Sequence, residues 1–125
     1  MRCSILCRSR PDFCLSLKIG PDGVERAVLG TYINTLNQQF LIQDNNIISL
    51  KTGHLLTNED PLVFTPRTGN KKQNYYLNPD GTISNADGSV LDIRQEKMVE
   101  DTDIIPYQRH GRFNQIWRVV SLQDD

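Results

Sequence analysis

The chain has 125 residues, enough for one domain with a real hydrophobic core. Fourteen Lys and Arg against fifteen Asp and Glu leave a net charge of −1, which argues against a dedicated nucleic-acid or anionic-membrane binder, since these use a basic excess. Apolar residues make up 38% of the chain, too many for wholesale disorder, and runs no longer than the likes of Leu62-Val63-Phe64 exclude a transmembrane helix and membrane insertion.

The N-terminal stretch MRCSILCRSRPDF has no sustained apolar segment, so no secretory signal peptide is expected; the protein is expected in the cytoplasm or exported without one. Cys3, Cys7 and Cys14 crowd into this stretch. An odd, clustered set is not a disulfide framework, and neither His54 nor His110 is near enough in sequence to complete a zinc site, so free, partly buried thiols are expected. Arg8, Arg10, Lys18 and Arg26 read as a solvated face rather than a nucleic-acid patch at this net charge.

Further along, segments rich in β-branched and aromatic residues predict short strands: Arg26–Leu29, Gln39–Ile42, Asn74–Leu77, Val90–Ile93 and Ile116–Val120. Turn chemistry separates them, at Gly20-Pro21-Asp22-Gly23, Asp44-Asn45-Asn46, Asn58-Glu59-Asp60-Pro61, Thr68-Gly69-Asn70, Asn78-Pro79-Asp80-Gly81, Ala86-Asp87-Gly88 and His110-Gly111. No long window holds a helical period, and residues 94–101 are polar enough for a helical turn or a loop. The pattern predicts an all-β sandwich or barrel.

An internal repeat narrows this further. Gln-x-aromatic occurs at Gln38-Gln39-Phe40, Gln73-Asn74-Tyr75 and Gln115-Ile116-Trp117, each followed two places on by an aliphatic residue: Ile42, Leu77 and Val119. The stretch FLIQDNNIISLKTGHLLT from Phe40 aligns without a gap on YYLNPDGTISNADGSVLD from Tyr75, placing Ile48 on Ile83 and Leu56 on Leu91. Only eight residues follow Trp117, and Cys14–Leu17 precedes Phe40 much as Val90–Ile93 precedes Trp117, so this N-terminal strand is expected to pair with the C-terminal one and close a ring of three. Three units, 1–43, 44–78 and 79–125, then form one pseudo-threefold barrel whose closure removes exposed strand edges. Phe40, Tyr75 and Trp117 with Ile42, Leu77 and Val119, joined by Ile48 and Ile83, are expected to share the core, each aromatic contributing about 2–3 kcal/mol. The repeated Gln is expected to satisfy backbone groups at the turn entering each strand.

These units resemble the β-trefoil of ricin B-type lectins, whose hallmark is a threefold Gln-x-Trp repeat. The resemblance covers nearly the whole chain and is strongest over GTISNADGSVLDIRQ and IIPYQRHGRFNQIWRVV; Phe40 and Tyr75 replace two of the tryptophans. It implies a shallow sugar pocket built from an Asp on the Leu-Asp strand, an aromatic about ten residues before the Trp, and Asn-Gln just before it. The third unit supplies Asp92, Tyr107, Asn114 and Gln115, with His110 on the intervening loop close enough to contact a sugar and Gln115 expected to orient the pocket. Vicinal hydroxyls suit a carboxylate and an amide, and the C–H face of a pyranose suits an aromatic ring. In the first unit Ser16 and Gly30 stand where Asp92 and Tyr107 stand, with Asn37 and Gln38 kept and Tyr32 near enough to substitute. In the second, Thr57, Thr65 and Lys72 replace the Asp, aromatic and Asn. One competent site is expected, with glycans or glycoproteins as partners and oligomerisation, a homo-oligomer, required for avidity. The implied function is a non-catalytic, cofactor-free lectin for terminal galactose or N-acetylgalactosamine. The alternative is a protein-binding barrel, such as a protease inhibitor, acting through the loops 58–61 and 97–103.

Overall fold

The computed structural model describes residues 1–122. The chain forms twelve short strands: β1 (Arg2–Cys7), β2 (Phe13–Ile19), β3 (Glu25–Thr31), β4 (Phe40–Gln43), β5 (Asn46–Ser49), β6 (Leu55–Thr57), β7 (Val63–Thr65), β8 (Tyr75–Leu77), β9 (Ile83–Asn85), β10 (Val90–Ile93), β11 (Ile104–Tyr107) and β12 (Trp117–Ser121). The described helices are single 3-10 turns, none long and apolar enough to cross a membrane. Three of them, Leu36–Gln38, Lys71–Gln73 and Phe113–Gln115, end on the three repeated glutamines, just before β4, β8 and β12.

The first and fourth strand of each set of four make a closed ring. β1 pairs with β12 over five residues, from Cys3↔Ser121 to Cys7↔Trp117, and with β4 at Cys3↔Phe40. β4 pairs with β5, and β8 with β9. The remaining joints are single backbone bonds, Tyr75 N to Asn45 O at 2.8 Å and Trp117 N to Gly81 O at 2.8 Å. The barrel therefore closes against the C-terminal strand, but through β1 and not through the Cys14–Leu17 stretch, which lies in β2 and pairs with β1 and β3.

The hairpins β2–β3, β6–β7 and β10–β11 cap one end of this ring. They are stitched together by Ala27 N donating to Leu62 O and Leu62 N donating to Ile104 O, both at 3.0 Å. A barrel of three such units is a β-trefoil. Its interior is one cluster in which residues from equivalent strand positions meet: Phe40, Tyr75 and Trp117; Ile5, Ile47 and Ile83; Leu15, Leu56 and Leu91. Phe40 stacks on Phe64 with ring centroids 5.8 Å apart, and Trp117 donates Nε1–H to Leu91 O at 3.2 Å, so no indole donor is left unpaired in the core.

Two core expectations change. Leu77 is exposed, at the end of a three-residue strand on the barrel rim. Ile48 is only half-buried, and Ile47 takes the core position. In the strand registers Phe40 faces Ser49 while Tyr75 faces Asn85, nine residues apart in one case and ten in the other. The ungapped alignment is therefore off by one here, and a one-residue slip reverses which side chain points inward. The three thiols are free, and all are fully buried rather than partly so: Cys3 and Cys7 belong to the apolar cluster, and Cys14 lies near Ser16. Burial pushes the Cys3 and Cys14 thiols up to about 11.

Candidate functional site

Strand alternation builds the site. On β10, Leu91 and Ile93 join the core, so Asp92 points to the opposite face. On β11, Ile104 joins the core, and Ile105 and Tyr107 share Asp92's face. The register pairs Asp92 with Ile105 and Val90 with Tyr107, which makes Asp92 and Tyr107 diagonal neighbours. The segment between β11 and β12 then folds over this face. A cavity of about 450 Å³ opens there, and Asp92, Tyr107, His110 and Asn114 all line it. Four of the five residues singled out from the sequence thus converge.

The fifth, Gln115, lies behind the cavity wall and is fully buried. Its Oε1 accepts from the backbone N–H of His110 at 2.9 Å and of Gly111 at 3.0 Å. Its Nε2 donates to Asp92 Oδ2 at 2.8 Å and to Gln108 O at 2.9 Å. Gln115 therefore positions both the Asp92 carboxylate and the loop that presents His110. The other two repeated glutamines brace their loops in the same way. Gln38 accepts from Ile33 N and Asn34 N and donates to Thr31 O; Gln73 accepts from Thr68 N and donates to Pro66 O.

Asp92 is 3% exposed, and burial pushes its carboxyl above the usual carboxylate value; the bond from Gln115 and the nearby His110 offset this only in part. His110 Nδ1 accepts from Arg112 N at 3.0 Å, so Nε2 carries the proton of the neutral ring and sits 3.6 Å from Asp92 Oδ2. Asn114 Nδ2 donates to Ile93 O at 3.1 Å, which leaves its buried Oδ1 without a partner. Tyr107 is half-exposed and meets His110 edge-on, with ring centroids 6.0 Å apart. The cavity offers the Asp92 carboxylate as acceptor, one N–H donor and an aromatic plate, with Asn114 in its wall. This set suits a small polyhydroxylated molecule that has one apolar face.

Sequence reasoning missed part of the wall: Ile105, Arg94, Gln95 and Glu96. Ile105 lies two residues before Tyr107, so strand periodicity alone could have found it. Arg94–Glu96 is a 3-10 turn in which Gln95 and Glu96 have φ of 54° and 56°, a left-handed backbone that no local residue pattern signals. Arg94 is held by Asp60 at 2.9 Å, and Arg112 pairs with Glu96.

The equivalent positions of the other units differ. Register places Gly30 opposite Cys14 and Thr65 opposite Leu55, the positions corresponding to Tyr107 opposite Val90. The first unit has a smaller cavity of about 190 Å³ lined by Ser16, Gly30, Asn37 and Gln38. Tyr32 does not line it; its hydroxyl lies 3.2 Å from Ser4 Oγ. In the second unit the Thr57 and Thr65 hydroxyls bond each other at 2.8 Å, and Gln73 donates to both, so these polar groups satisfy one another. The loop considered for protein docking is likewise tied down, Glu59 to Lys72 at 3.1 Å and Asp60 to Arg94. Arg10, Lys18 and Arg26 are each paired with a carboxylate, Asp12, Asp101 and Asp22.

No protein-family model matches the chain, and no curated protein matches it in sequence. Among solved structures it is similar to a designed threefold-symmetric protein, ThreeFoil, with a TM-score of 0.81 at 19% identity over 97% of this chain and 99% of that one. It is also similar to the C-terminal half of an earthworm R-type lectin in complex with GalNAc, with a TM-score of 0.81 at 16% identity over 94% of this chain and 96% of that one. A mosquitocidal holotoxin matches with a TM-score of 0.83 at 21% identity, over 99% of this chain but only 17% of that protein. The likeness establishes the β-trefoil fold, shared with ricin B-like lectins.

Proposed function

We propose that this β-trefoil is a lectin that holds a terminal galactose or N-acetylgalactosamine of a glycan in the third-unit cavity. The observation that carries the reading is the convergence of Asp92, Tyr107, His110 and Asn114 on one cavity, while the matching positions of the other units hold Ser16 and Gly30, or Thr57 and Thr65. The Asp92 carboxylate accepts from sugar hydroxyls, His110 Nε2–H donates, Tyr107 packs against the C–H face, and Asn114 shapes the wall beside them. The similar earthworm lectin half, solved with GalNAc, supports the sugar class.

The reading is binding without turnover. Glu96 also lines the cavity, but its ion pair with Arg112 makes it a brace of the wall. With one site per chain, tight capture of a glycan surface would come from several chains acting together. A glycan array, followed by calorimetry with galactose and GalNAc, tests the proposal. Binding that is lost in Asp92→Ala and weakened about tenfold in Tyr107→Ala supports it. Binding that persists in both removes the site, and release of p-nitrophenol from a p-nitrophenyl galactoside removes the non-catalytic reading.

A further inference from the structure

The third hairpin departs from the other two in its connection. Five residues join β2 to β3 (20–24) and five join β6 to β7 (58–62), but ten join β10 to β11 (94–103). Three of these ten, Gln95, Glu96 and Asp101, hold positive φ without being glycine, half of all such residues described in the chain. Left-handed backbone at ordinary side chains costs energy and persists only where surrounding structure enforces it. Here the segment is pinned at several points. Leu29 N donates to Thr102 O at 2.8 Å, Asp101 N donates to Leu29 O at 2.8 Å, and Arg94 N donates to Asp103 O at 3.1 Å.

The long connection encloses a second cavity of about 260 Å³, directly beside the first, with Arg94 and Gln95 as their common wall. Its lining includes Lys97, Val99 and Thr102. Thr102 is half-buried in this wall, as Asn114 is buried in the wall of the first cavity. Val99 is an exposed aliphatic residue on the same wall, and Lys97 is exposed beside it. Together they repeat, in a second place, the combination of hydrogen-bonding groups and apolar surface that a pyranose ring requires.

We propose that the site reads two consecutive sugars. The terminal galactose-type residue sits over Asp92 and Tyr107, and the sugar it is linked to lies across Arg94 and Gln95 into the cavity of Lys97, Val99 and Thr102. The ligand class is then a galactose-terminated disaccharide or longer glycan rather than a single sugar. This rests on the terminal-sugar reading above and extends it by one residue.

The experiment compares affinities by calorimetry for methyl galactoside and for a panel of disaccharides in which galactose is joined to glucose, GlcNAc or GalNAc through different linkages. At least one disaccharide is expected to bind about tenfold or more tightly than methyl galactoside. In Lys97→Ala and in Thr102→Val that ratio is expected to fall toward one. Lys97→Ala alters an exposed side chain, so it keeps the test open if Thr102→Val folds poorly. Methyl galactoside binding with every disaccharide within about twofold of it overturns the second-sugar proposal and leaves the terminal-sugar site standing. A large ratio that neither variant reduces overturns the assignment to this cavity. No binding of either ligand class overturns both readings.

Discussion

Gln115 Nε2 donates to Asp92 Oδ2 at 2.8 Å, and both side chains are buried. One repeated glutamine therefore serves the fold and the site together, since its other bonds hold Gln108, His110 and Gly111. Gln115→Ala takes the acceptor from the backbone N–H groups of His110 and Gly111 and removes a donor from a buried carboxylate. We expect a loss of about 2–4 kcal/mol in unfolding free energy, measured by denaturant titration, together with weakened sugar binding. If the variant is as stable as wild type, the brace is not what holds this loop.

Asp92 supplies a pH prediction. Its folded-state carboxyl titrates above the usual 3.8, chiefly because burial disfavours the charge. The folded state therefore binds the proton more readily than the unfolded state, and the stability linked to this group is present at low pH and lost as pH rises through the raised value. Asp92→Asn removes that loss while leaving an oxygen to accept from Gln115. The variant is expected to gain stability relative to wild type as pH rises through the window between 3.8 and the raised value. Sugar affinity runs the other way: it needs the carboxylate, so wild-type binding should weaken as pH falls through the same window, and the Asn variant should bind poorly throughout. Unfolding curves and calorimetry across that range check both signs.

Tyr107 separates ring from hydroxyl. It is 52% exposed and stands opposite Val90, so its truncation should change stability by no more than about 0.5 kcal/mol. Tyr107→Ala is expected to lose about tenfold in sugar affinity through the missing aromatic face, while Tyr107→Phe keeps most of it. A Phe variant as weak as the Ala variant would move the interaction from the ring to the hydroxyl.

What could be read from the sequence was what is local in the chain. Gln38, Gln73 and Gln115 each bond groups within seven residues, so their repeat shows directly in the spacing. Asp92 and Tyr107 were legible for a similar reason, as two positions on one hairpin. The wall at Arg94–Glu96 was not, because left-handed backbone at Gln95 and Glu96 leaves no residue signature. Strand β1 also escaped notice: Arg2–Cys7 draws attention as a cysteine cluster, and its role depends on pairing with residues at the far end of the chain. Tyr32 failed as a substitute aromatic because its hydroxyl, just beyond β3, lies beside Ser4 of β1, a contact between residues far apart in the chain.

The first unit differs from the third in steric room as well as in its missing carboxylate. A Cβ placed on Gly30 would overlap Ser16 Oγ and crowd Ser16 Cβ at 3.1 Å and Gln38 Nε2 at 3.3 Å. Gly30→Ala is expected to cost about 1–3 kcal/mol as Ser16 and the Gln38 brace give way. Combining Ser16→Asp with Gly30→Tyr should therefore lower the melting temperature without adding a site. Calorimetric stoichiometry staying at one sugar per chain, with a reduced Tm, is the expected outcome. Two sugars per chain would show that the first unit lacks only side chains and not room.

The pair Ile47 and Ile48 tests the register that distinguishes the second unit from the third. β4 and β5 pair Phe40 with Ser49 and Ile42 with Ile47, whereas β8 and β9 pair Tyr75 with Asn85 and Leu77 with Ile83. The extra residue lies in the turn ahead of Ile83, so Ile47 and not Ile48 is the counterpart of Ile83 in the core. Ile47 is 1% exposed and belongs to the central cluster, while Ile48 is half-buried outside it. Ile47→Ala should open a cavity among well-packed neighbours and cost about 2–5 kcal/mol. Ile48→Ala removes a side chain that water already reaches and should cost about 1 kcal/mol or less. Denaturant unfolding of the two variants decides the matter: equal losses, or the larger loss at Ile48, would restore the ungapped alignment and place the strand one residue out of register.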